Sequence, residues 1–400
     1  MRNLVKVLLL VAAAAIALGA CTKSDLPAAG KSLKIGLVLV GPYNDHGWSQ
    51  ANYDGVQYVL AKVPGVNMVY IDKANSADRP GTTVSQLAEG LVAQGANLII
   101  FSSDDMSDEA VKFAQAHPTV FTIMTSGSQV WKEGRNYQAL PNMVNIMGRM
   151  EQMKMIAGVA AAMTTQTGKI GYLGPLINDE TRRLAASVYL GARYAWTNYL
   201  KKDPKDLEFK VTWIGFWFNI PGVTSDPTQV ADDFFNSGFD VVVSGIDTTE
   251  ALVEAVKFND AGKKVWAVPY DYEKVLDEGS AVALGVPYFN WGPAYANAAR
   301  AAMGGSWKSH FEWNGADWKN INNPDTSAVG FKNGDGLSAG ASAQVDSFIG
   351  ELAKGLNLWK GPIDFQDGVE FLKSGVVATD QQVWYLSQLL EGMTGQSVSK

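Results

Sequence analysis

The sequence predicts an α/β protein of two lobes, each built on a mainly parallel β-sheet flanked by helices. Apolar runs of strand length alternate with amphipathic helical stretches, which is the order of parallel βαβ units. This alternation begins at residue 33, pauses after residue 127 and then starts again with a second set of strands. Because 400 residues exceed what one hydrophobic core usually serves, we expect the two halves to form two lobes.

Four strands are predicted in the first half, with helices between them. The strands span 35–40, 67–71, 98–101 and 119–124. A helix over 48–63 carries apolar residues at helical spacing, and another over 83–94 ends before Gly95. A third helix is predicted over 108–116. Polar loops follow the strands, so the first half has the pattern of one parallel sheet.

The second half repeats this pattern after a long predicted helix over 143–163, which is rich in methionine and alanine. Further strands are predicted over 169–173, 210–214, 241–244, 265–268 and 281–285. A less regular tail follows, with a hairpin over 360–368 and a final helix over 379–393. Facing edges of the two predicted sheets would form a cleft that closes around a ligand by hinge bending.

Composition and charge argue against several classes of function. The net charge is −7 and the pI is about 5.1, whereas nucleic-acid binding needs a basic surface. The three histidines have no partner at metal-ligand spacing, and no Walker A loop, dinucleotide-binding turn or nucleophile elbow occurs. We therefore expect a binding protein that is not an enzyme, binds no nucleic acid and uses no cofactor or metal.

The first residues have the pattern of a lipoprotein signal. A short basic region is followed by an apolar run over 7–18, and small residues lead to Cys21, the single cysteine of the chain. We expect a signal peptide over 1–20, lipid on the Cys21 sulfur and a tether over 21–32. Lipid would hold the protein at the cell membrane, facing the periplasm or the exterior. A plain secretory signal with an incidental cysteine is the alternative.

Polar and aromatic side chains follow the predicted strands at the edge where open α/β sheets bind ligands. They are Asn44, Asp45, Trp48, Ser102, Ser103, Asp104, Thr125, Ser126, Phe216, Trp217, Asn219, Asp247 and Asp271. Aromatic rings can stack a flat heterocycle, and carboxylates accept hydrogen bonds from hydroxyl or ring N–H groups. Each residue also has a structural interpretation, since Trp48 could belong to the core and the aspartates could cap helices. We favour binding because the pattern recurs after successive strands.

Several long motifs resemble the basic membrane protein family, the substrate-binding lipoproteins that include purine nucleoside receptors of ABC importers. They are GPYNDHGWSQANYDGV, AEGLVAQGANLIIFSS, GRMEQMKMIAGVAAAMTTQTGKIGYLG, DVVVSGIDT, VWAVPYDYE and NWGPAYANAARAAMGGSW. The resemblance implies a type I periplasmic-binding fold whose hinge has three crossovers. It places 33–127 plus 289–303 in the N-lobe and 128–288 plus 304–400 in the C-lobe.

The resemblance also implies roles for individual residues. Trp48 and Trp217 match the rings that sandwich the base, and Asp271 matches an aspartate that holds ribose hydroxyls. Asn44 and Asp45 match a polar pair in the first loop. Two positions depart from the family pattern, because Thr125 stands where an acid reads the base and the segment ending at Asn290 lacks a hinge lysine. We include Thr125 and Asn290 among the candidate ligand-binding residues.

These observations predict a monomeric solute receptor that captures a purine nucleoside or nucleobase and delivers it to ABC permease subunits. The same scaffold could instead bind a flavin, a sugar or another small polar solute. A nucleoside hydrolase is disfavoured by the lack of a nucleophile–base pair or metal cluster. A surface sensor or adhesin without a transport role is a further alternative.

Overall fold

A computed structural model describes residue 30 and residues 32–398, and two parallel sheets dominate it. The predicted signal peptide and Cys21 lie outside the described residues. The first sheet has six strands, which are β1 (Leu33–Val38), β2 (Val66–Ile71), β3 (Leu98–Phe101), β4 (Phe121–Thr125), β5 (Met143–Gly148) and β11 (Phe311–Asn314). Their order in the sheet is β11-β5-β4-β3-β1-β2.

The second sheet has five strands, which are β6 (Lys169–Gly174), β7 (Glu208–Trp213), β8 (Val241–Ser244), β9 (Trp266–Val268) and β15 (Met393–Thr394). Their order is β15-β7-β6-β8-β9, and all are paired in parallel. Two short antiparallel pairs complete the set. They are β10 (Gly285–Phe289) with β12 (Val329–Asn333), and β13 (Ile363–Asp364) with β14 (Glu370–Leu372).

Helices cover both sheets. They are α1 (Trp48–Lys62), α2 (Val84–Ala93), α3 (Ser107–Ala116), α4 (Met150–Thr164), α5 (Asp179–Asn198), α6 (Pro227–Asn236), α7 (Glu250–Asp260), α8 (Gly292–Met303), α9 (Ala339–Ala353) and α10 (Asp380–Trp384). The central strands β3 and β8 are buried along their whole length, as expected for parallel strands covered on both faces. Helices α4 and α5 approach closely, since a Cβ added at Gly158 or Gly191 would overlap the backbone of the other helix.

The chain passes between the two sheets three times, which agrees with the predicted hinge. The passes lie between β5 and β6, between β9 and β11, and between β11 and β15. The sheet pairing extends the first lobe beyond the predicted 33–127 plus 289–303. Both β5 and β11 pair within the first sheet, although the prediction assigned their residues to the second lobe.

The predicted helix over 143–163 is wrong in its first part. Residues 143–148 form the fully buried strand β5, and the helix begins only at Met150. A buried parallel strand is a continuous apolar run, and such a run cannot be told from a buried helix by periodicity. The strand pairing decides between helix and strand, because β5 pairs with β4 on one side and with β11 on the other.

Two predictions in the tail are partly corrected and one is confirmed. The strand expected over 281–285 is β10, at Gly285–Phe289, and the final helix shrinks to Asp380–Trp384. Residues Met393–Thr394, predicted as the end of that helix, form β15 beside β7. The predicted hairpin is present as β13 and β14. Across residue 30 and residues 32–398, no helix is long and apolar enough to cross a membrane.

Candidate ligand-binding site

A cavity between the lobes collects side chains from the carboxyl edges of both sheets. The first lobe contributes Trp48, Ser103, Asp104 and Ser126, and the second contributes Tyr172, Glu180, Thr181, Leu184, Trp217, Gly245, Asp247 and Tyr270. In this closed arrangement the space open to water is about 10 Å³. That is close to the volume one water molecule needs, so the lobes must part before a larger ligand can be admitted.

The first loop fixes Trp48 at the start of α1. Asp45 accepts hydrogen bonds from the backbone N–H groups of Gly47 (3.0 Å), Ser49 (2.9 Å) and Gln50 (2.9 Å). Asp45 therefore occupies the unpaired N–H groups of the helix start, a capping role. Burial raises the pKa of its carboxyl, and the three backbone hydrogen bonds oppose that rise. Neither Asp45 nor the exposed Asn44 is among the side chains that line the cavity.

The Trp48 ring is held on three sides. Its Nε1–H donates to the Ser102 carbonyl oxygen, and the ring meets Phe289 and Trp291 edge-on with centroids 5.2 and 5.3 Å away. The Ser102 hydroxyl is buried and has no hydrogen-bond partner among the described residues. Thr125 Oγ1 donates to the Phe101 carbonyl oxygen (3.1 Å), so its hydroxyl bonds to the neighbouring strand β3. Ser126, the next residue, lines the cavity.

Trp217 lies on the other wall of the same cavity. Its side chain is 8% exposed, and its carbonyl oxygen accepts a hydrogen bond from the Asp247 backbone N–H (2.9 Å). Its indole Nε1–H is buried without a partner in the described part of the chain. The two tryptophans that the sequence singled out thus reach one cavity from opposite lobes.

Asp271 is fully buried just after β9, and the structure holds it in an unusual backbone conformation. Its φ is +72°, while its N–H donates to Pro287 and its carbonyl accepts from Phe289, both at 3.1 Å. Both carboxylate oxygens lack hydrogen-bond partners among the described residues. Burial raises the pKa of Asp271 well above its usual value, and the charge of Lys154 opposes that rise. Such an unpaired buried carboxyl is costly, and a ligand donor would relieve it.

Lys154 was missed by the sequence interpretation because it sits inside a helix of methionine and alanine. It is fully buried on α4, and its Nζ donates to the Ser244 carbonyl oxygen (2.7 Å). The same nitrogen lies 3.1 Å from the centre of the Tyr270 ring, in a cation–π position. Burial lowers the pKa of Lys154 well below its usual value. No local signal marks this residue, since only the fold brings α4 next to Asp271.

Three more acidic side chains lie at the cavity. Burial raises the pKa of Asp247, and the neighbouring Asp271 and Asp45 carboxylates add to that rise. Burial, together with the charge of Glu180, raises the pKa of Asp104 to about 6. Glu180, which the sequence interpretation also missed, accepts a hydrogen bond from the Ser126 hydroxyl of the opposite lobe. Its position after the loop that follows β6 is the signal that could have found it.

Asn290 serves the hinge. Its Nδ2 donates to the carbonyl oxygens of Pro324 (2.9 Å) and Ser327 (2.7 Å), which ties the segment after β10 to the segment before β12. It is absent from the lining of the interlobe cavity and borders a separate cleft beside Tyr288 and Trp291.

Direct contacts hold the lobes together around the cavity. His46 pairs with Glu278, Gln50 donates to the Tyr272 hydroxyl (3.0 Å), and Asn178 donates to Asp104 (3.2 Å). Gly47 packs so tightly against the Asp247 carbonyl that a Cβ there would overlap it. The conformation is therefore the closed one. Among the described residues, no group of three or more His, Cys, Asp or Glu side chains could hold a metal ion.

Comparison with known proteins agrees with this geometry. The family Bmp, described as ABC transporter substrate-binding protein PnrA-like, matches residues 32–331. A purine-binding protein of Brucella abortus (strain 2308) is 27% identical and covers 91% of this chain and 94% of its own length. A putative ABC transporter glucose-binding protein of Haloferax volcanii is 24% identical, and the match covers 73% of this chain and 66% of that protein.

A solved structure shows the same fold. An ABC transporter solute-binding protein of Aeropyrum pernix K1 superposes with a TM-score of 0.64, at 13% identity, and covers 88% of this chain and 95% of its own. The predicted two-lobed periplasmic-binding fold and the resemblance to basic membrane proteins are confirmed. The family match spans three quarters of the chain, so the protein belongs to the PnrA-like substrate-binding proteins of ABC transporters.

Proposed function

We propose that the protein captures a purine nucleoside or nucleobase between Trp48 and Trp217 and delivers it to the permease of an ABC importer. The observation that carries this proposal is a closed interlobe cavity with an indole ring from each lobe on its walls. Stacking on an aromatic ring contributes roughly 1–3 kcal/mol per base. The purine-binding relative from Brucella abortus, similar along nearly the whole chain, supports the choice of ligand class.

Unpaired polar groups around the cavity fit a ligand that donates and accepts hydrogen bonds. Within the described residues, the Trp217 Nε1–H, the Tyr270 hydroxyl and the Asp271 carboxylate are buried without partners. Each unsatisfied buried group costs about 1–3 kcal/mol, which a purine edge with ring nitrogens and amino groups can recover. We assign Asp247 and Asp271 as ligand acceptors and Ser102 as a further polar contact. Asn44, Asp45, Thr125 and Asn290 then position these groups from outside the cavity.

The ligand is released unchanged in this proposal, because the site holds binding groups and the protein acts by opening and closing. We further propose that the chain is monomeric, sits outside the cytoplasm and is anchored through lipid on Cys21. The lobes divide at the three chain passes, so 33–148 and 292–314 move as one lobe.

A sugar is the second candidate ligand. The relative from Haloferax volcanii is named a putative glucose-binding protein, and tryptophan faces stack pyranose rings as well as bases. The two candidate ligands differ in the hydrogen-bonding groups around the edge of the ring. A purine pairs with a carboxylate through N–H groups in the ring plane, whereas a hexose presents hydroxyl groups around its rim.

Thermal unfolding with a ligand panel tests the proposal, since a ligand that binds the folded state raises Tm by mass action. We expect purine bases or nucleosides to raise Tm and glucose to leave it unchanged. Trp217→Ala should abolish most of that rise, measured against the ligand-free Tm of the same variant. Phe216→Ala is the matched control, because Phe216 is in the same loop but is not among the residues that line the cavity. Its ring packs against the Phe218 ring, with the two ring centroids 5.1 Å apart. A rise with glucose alone, or an unchanged purine response in Trp217→Ala, would refute the proposal.

A further inference from the structure

A second pocket, which we call the tryptophan pocket, lies where the first and third chain passes between the lobes pack together. Its walls come from α4 on the first pass, from β11, and from the segments around α9 and α10 on the third pass. Its lining residues include the three tryptophans Trp313, Trp318 and Trp359, together with Glu151 and Gln152 of α4. Its volume open to water is about 380 Å³, within the range of about 300–1,000 Å³ of small-molecule sites.

Four buried polar atoms of these lining residues have no hydrogen-bond partner in the part of the chain that the structure describes. Two are donors, the indole Nε1–H groups of Trp313 and Trp359, and two are acceptors, Oε1 of Gln152 and Oε2 of Glu151. Trp359 and Glu151 are each only 4% exposed. A buried donor or acceptor that stays unpaired costs free energy, so a ligand that both accepts and donates hydrogen bonds would be stabilised here.

The charged side chains of the tryptophan pocket are already paired with one another or with a neighbour. Arg149 donates to both carboxylate oxygens of Asp380 (3.0 and 2.7 Å) and to the Trp313 carbonyl oxygen (3.0 Å). Glu151 accepts a hydrogen bond from Arg183 Nε (2.6 Å). An ionic ligand would therefore bring in a charge without a counter-charge, which favours a neutral ligand.

Much of the remaining wall is apolar. Met155, Leu352, Leu358 and Val383 are among its residues. A polyhydroxylated ligand would leave most of its hydroxyl groups unpaired against such a wall. A flat aromatic ring packs well against indole and aliphatic side chains. A single amide group on that ring supplies a carbonyl acceptor and N–H donors, the two kinds of group that the unpaired atoms of the wall require.

We propose that the tryptophan pocket is a second binding site, which takes a small neutral aromatic amide. The ligand carbonyl accepts from the indole N–H groups of Trp313 and Trp359, and the ligand N–H groups donate to Gln152 and Glu151. These four atoms are covered by neighbouring atoms, so the side chains turn slightly as the ligand enters. Among the described residues the pocket shares no lining residue with the ligand cavity, so the inference does not rest on the proposed function.

Isothermal titration with nicotinamide and benzamide, two neutral aromatic amides, tests the site. We expect both to bind the wild type, and nicotinate, an anion of the same shape as nicotinamide, to bind at least roughly tenfold more weakly. Trp359→Phe keeps an aromatic wall but removes the N–H, so it should weaken both amides roughly 2- to 12-fold, the effect of one hydrogen bond. Gln152→Met should weaken them to a similar extent. Trp307→Phe is the matched control, because Trp307 also has a buried indole N–H without a partner in the described chain but is not among the lining residues.

Trp217→Ala separates the tryptophan pocket from the ligand cavity, and amide binding should be unchanged in this variant. Amide affinities that stay at the wild-type value in both Trp359→Phe and Gln152→Met would overturn the second site, and a loss in Trp217→Ala would then place the amides in the ligand cavity. Failure of both amides to bind at millimolar concentration would also overturn it, as would nicotinate binding as tightly as nicotinamide. A failure of purines to bind would overturn the proposed function alone. Ligand-free Tm values identify a variant that does not fold, and Trp359→Phe and Gln152→Met then substitute for each other.

Discussion

Replacing Gly47 with alanine should block closure of the lobes without unfolding either of them. Gly47 stands where the first loop meets the second lobe, and an added Cβ would lie 1.7 Å from the Asp247 carbonyl oxygen. Real Cβ atoms essentially never approach closer than 3.0 Å, so the lobes would have to separate by at least 1.3 Å at this point. The obstacle is backbone, which cannot rotate away as a side chain can.

The loss of affinity follows from what closure contributes. An opened cleft forfeits stacking on one aromatic wall, roughly 1–3 kcal/mol, and one neutral hydrogen bond such as Gln50 to Tyr272, about 0.5–1.5 kcal/mol. At 1.4 kcal/mol per factor of ten, a total of about 1.5–4.5 kcal/mol weakens binding roughly 12- to 1,600-fold. The expected Kd of Gly47→Ala is therefore higher by that factor.

Titration calorimetry measures the affinity, and small-angle X-ray scattering measures compaction with and without ligand. Gly350→Ala is the control, because a Cβ at Gly350 meets nothing within 4 Å. We expect the wild type and the control to contract on adding ligand and Gly47→Ala to stay extended. Wild-type affinity in Gly47→Ala, with normal contraction, would refute the closed geometry described above.

Two further predictions concern titration. The folded pKa of Asp104, about 6, exceeds its ordinary value, so the folded state binds more protons than the unfolded state between about pH 4 and 6 and loses stability as pH rises through that window. Chemical denaturation should show Asp104→Asn to be more stable than wild type at pH 7, with a flatter profile between pH 4 and 6; an unchanged profile would contradict this. Lys154→Met removes the charge that holds down the pKa of Asp271, so Asp271 should ionise at higher pH. If the carboxylate form binds the ligand, calorimetry between pH 5 and 9 should show the rise in affinity moving to higher pH, and a profile identical to wild type would count against Lys154 as its counter-charge.

Local sequence patterns were sufficient to predict most strands of the two parallel sheets. They were also sufficient to select Trp48 and Trp217 as candidate ligand contacts. Trp48 begins the helix after the first loop, Trp217 stands in the loop after β7, and the structure puts both on the cavity wall. Local patterns also led to misassignments, of which the predicted helix over 143–163 is the clearest. The strand β5 has the composition of a buried helix, and only its pairing with β4 and β11 distinguishes the two.

The residues that sequence reasoning missed are those whose role depends on distant parts of the chain. Lys154 belongs to the site only because α4 runs beneath β8 and reaches Ser244, 90 residues later. Glu180 faces Ser126 across the lobe boundary, a contact between residues 54 positions apart. In contrast, Asp45 was recognised as important, but its three backbone hydrogen bonds give it a structural task that spacing alone could not separate from ligand binding.

The distribution of acids explains why closure should depend on the ligand. Asp104 comes from the first lobe, and Glu180, Asp247 and Asp271 come from the second, so closing an empty cleft brings buried carboxyl groups together. Burial and their mutual repulsion raise the pKa values of Asp104, Asp247 and Asp271, which means that the empty closed state disfavours their charged forms. A ligand rich in N–H and O–H donors reverses this penalty, because each donor stabilises a carboxylate that water can no longer reach. Such a ligand therefore favours a ligand-bound closed state, in which the lobes stand far enough apart to hold it, and shifts the population from the open state toward that state. A phosphorylated ligand would add to the repulsion, so the same charges that couple binding to closure also select a neutral solute.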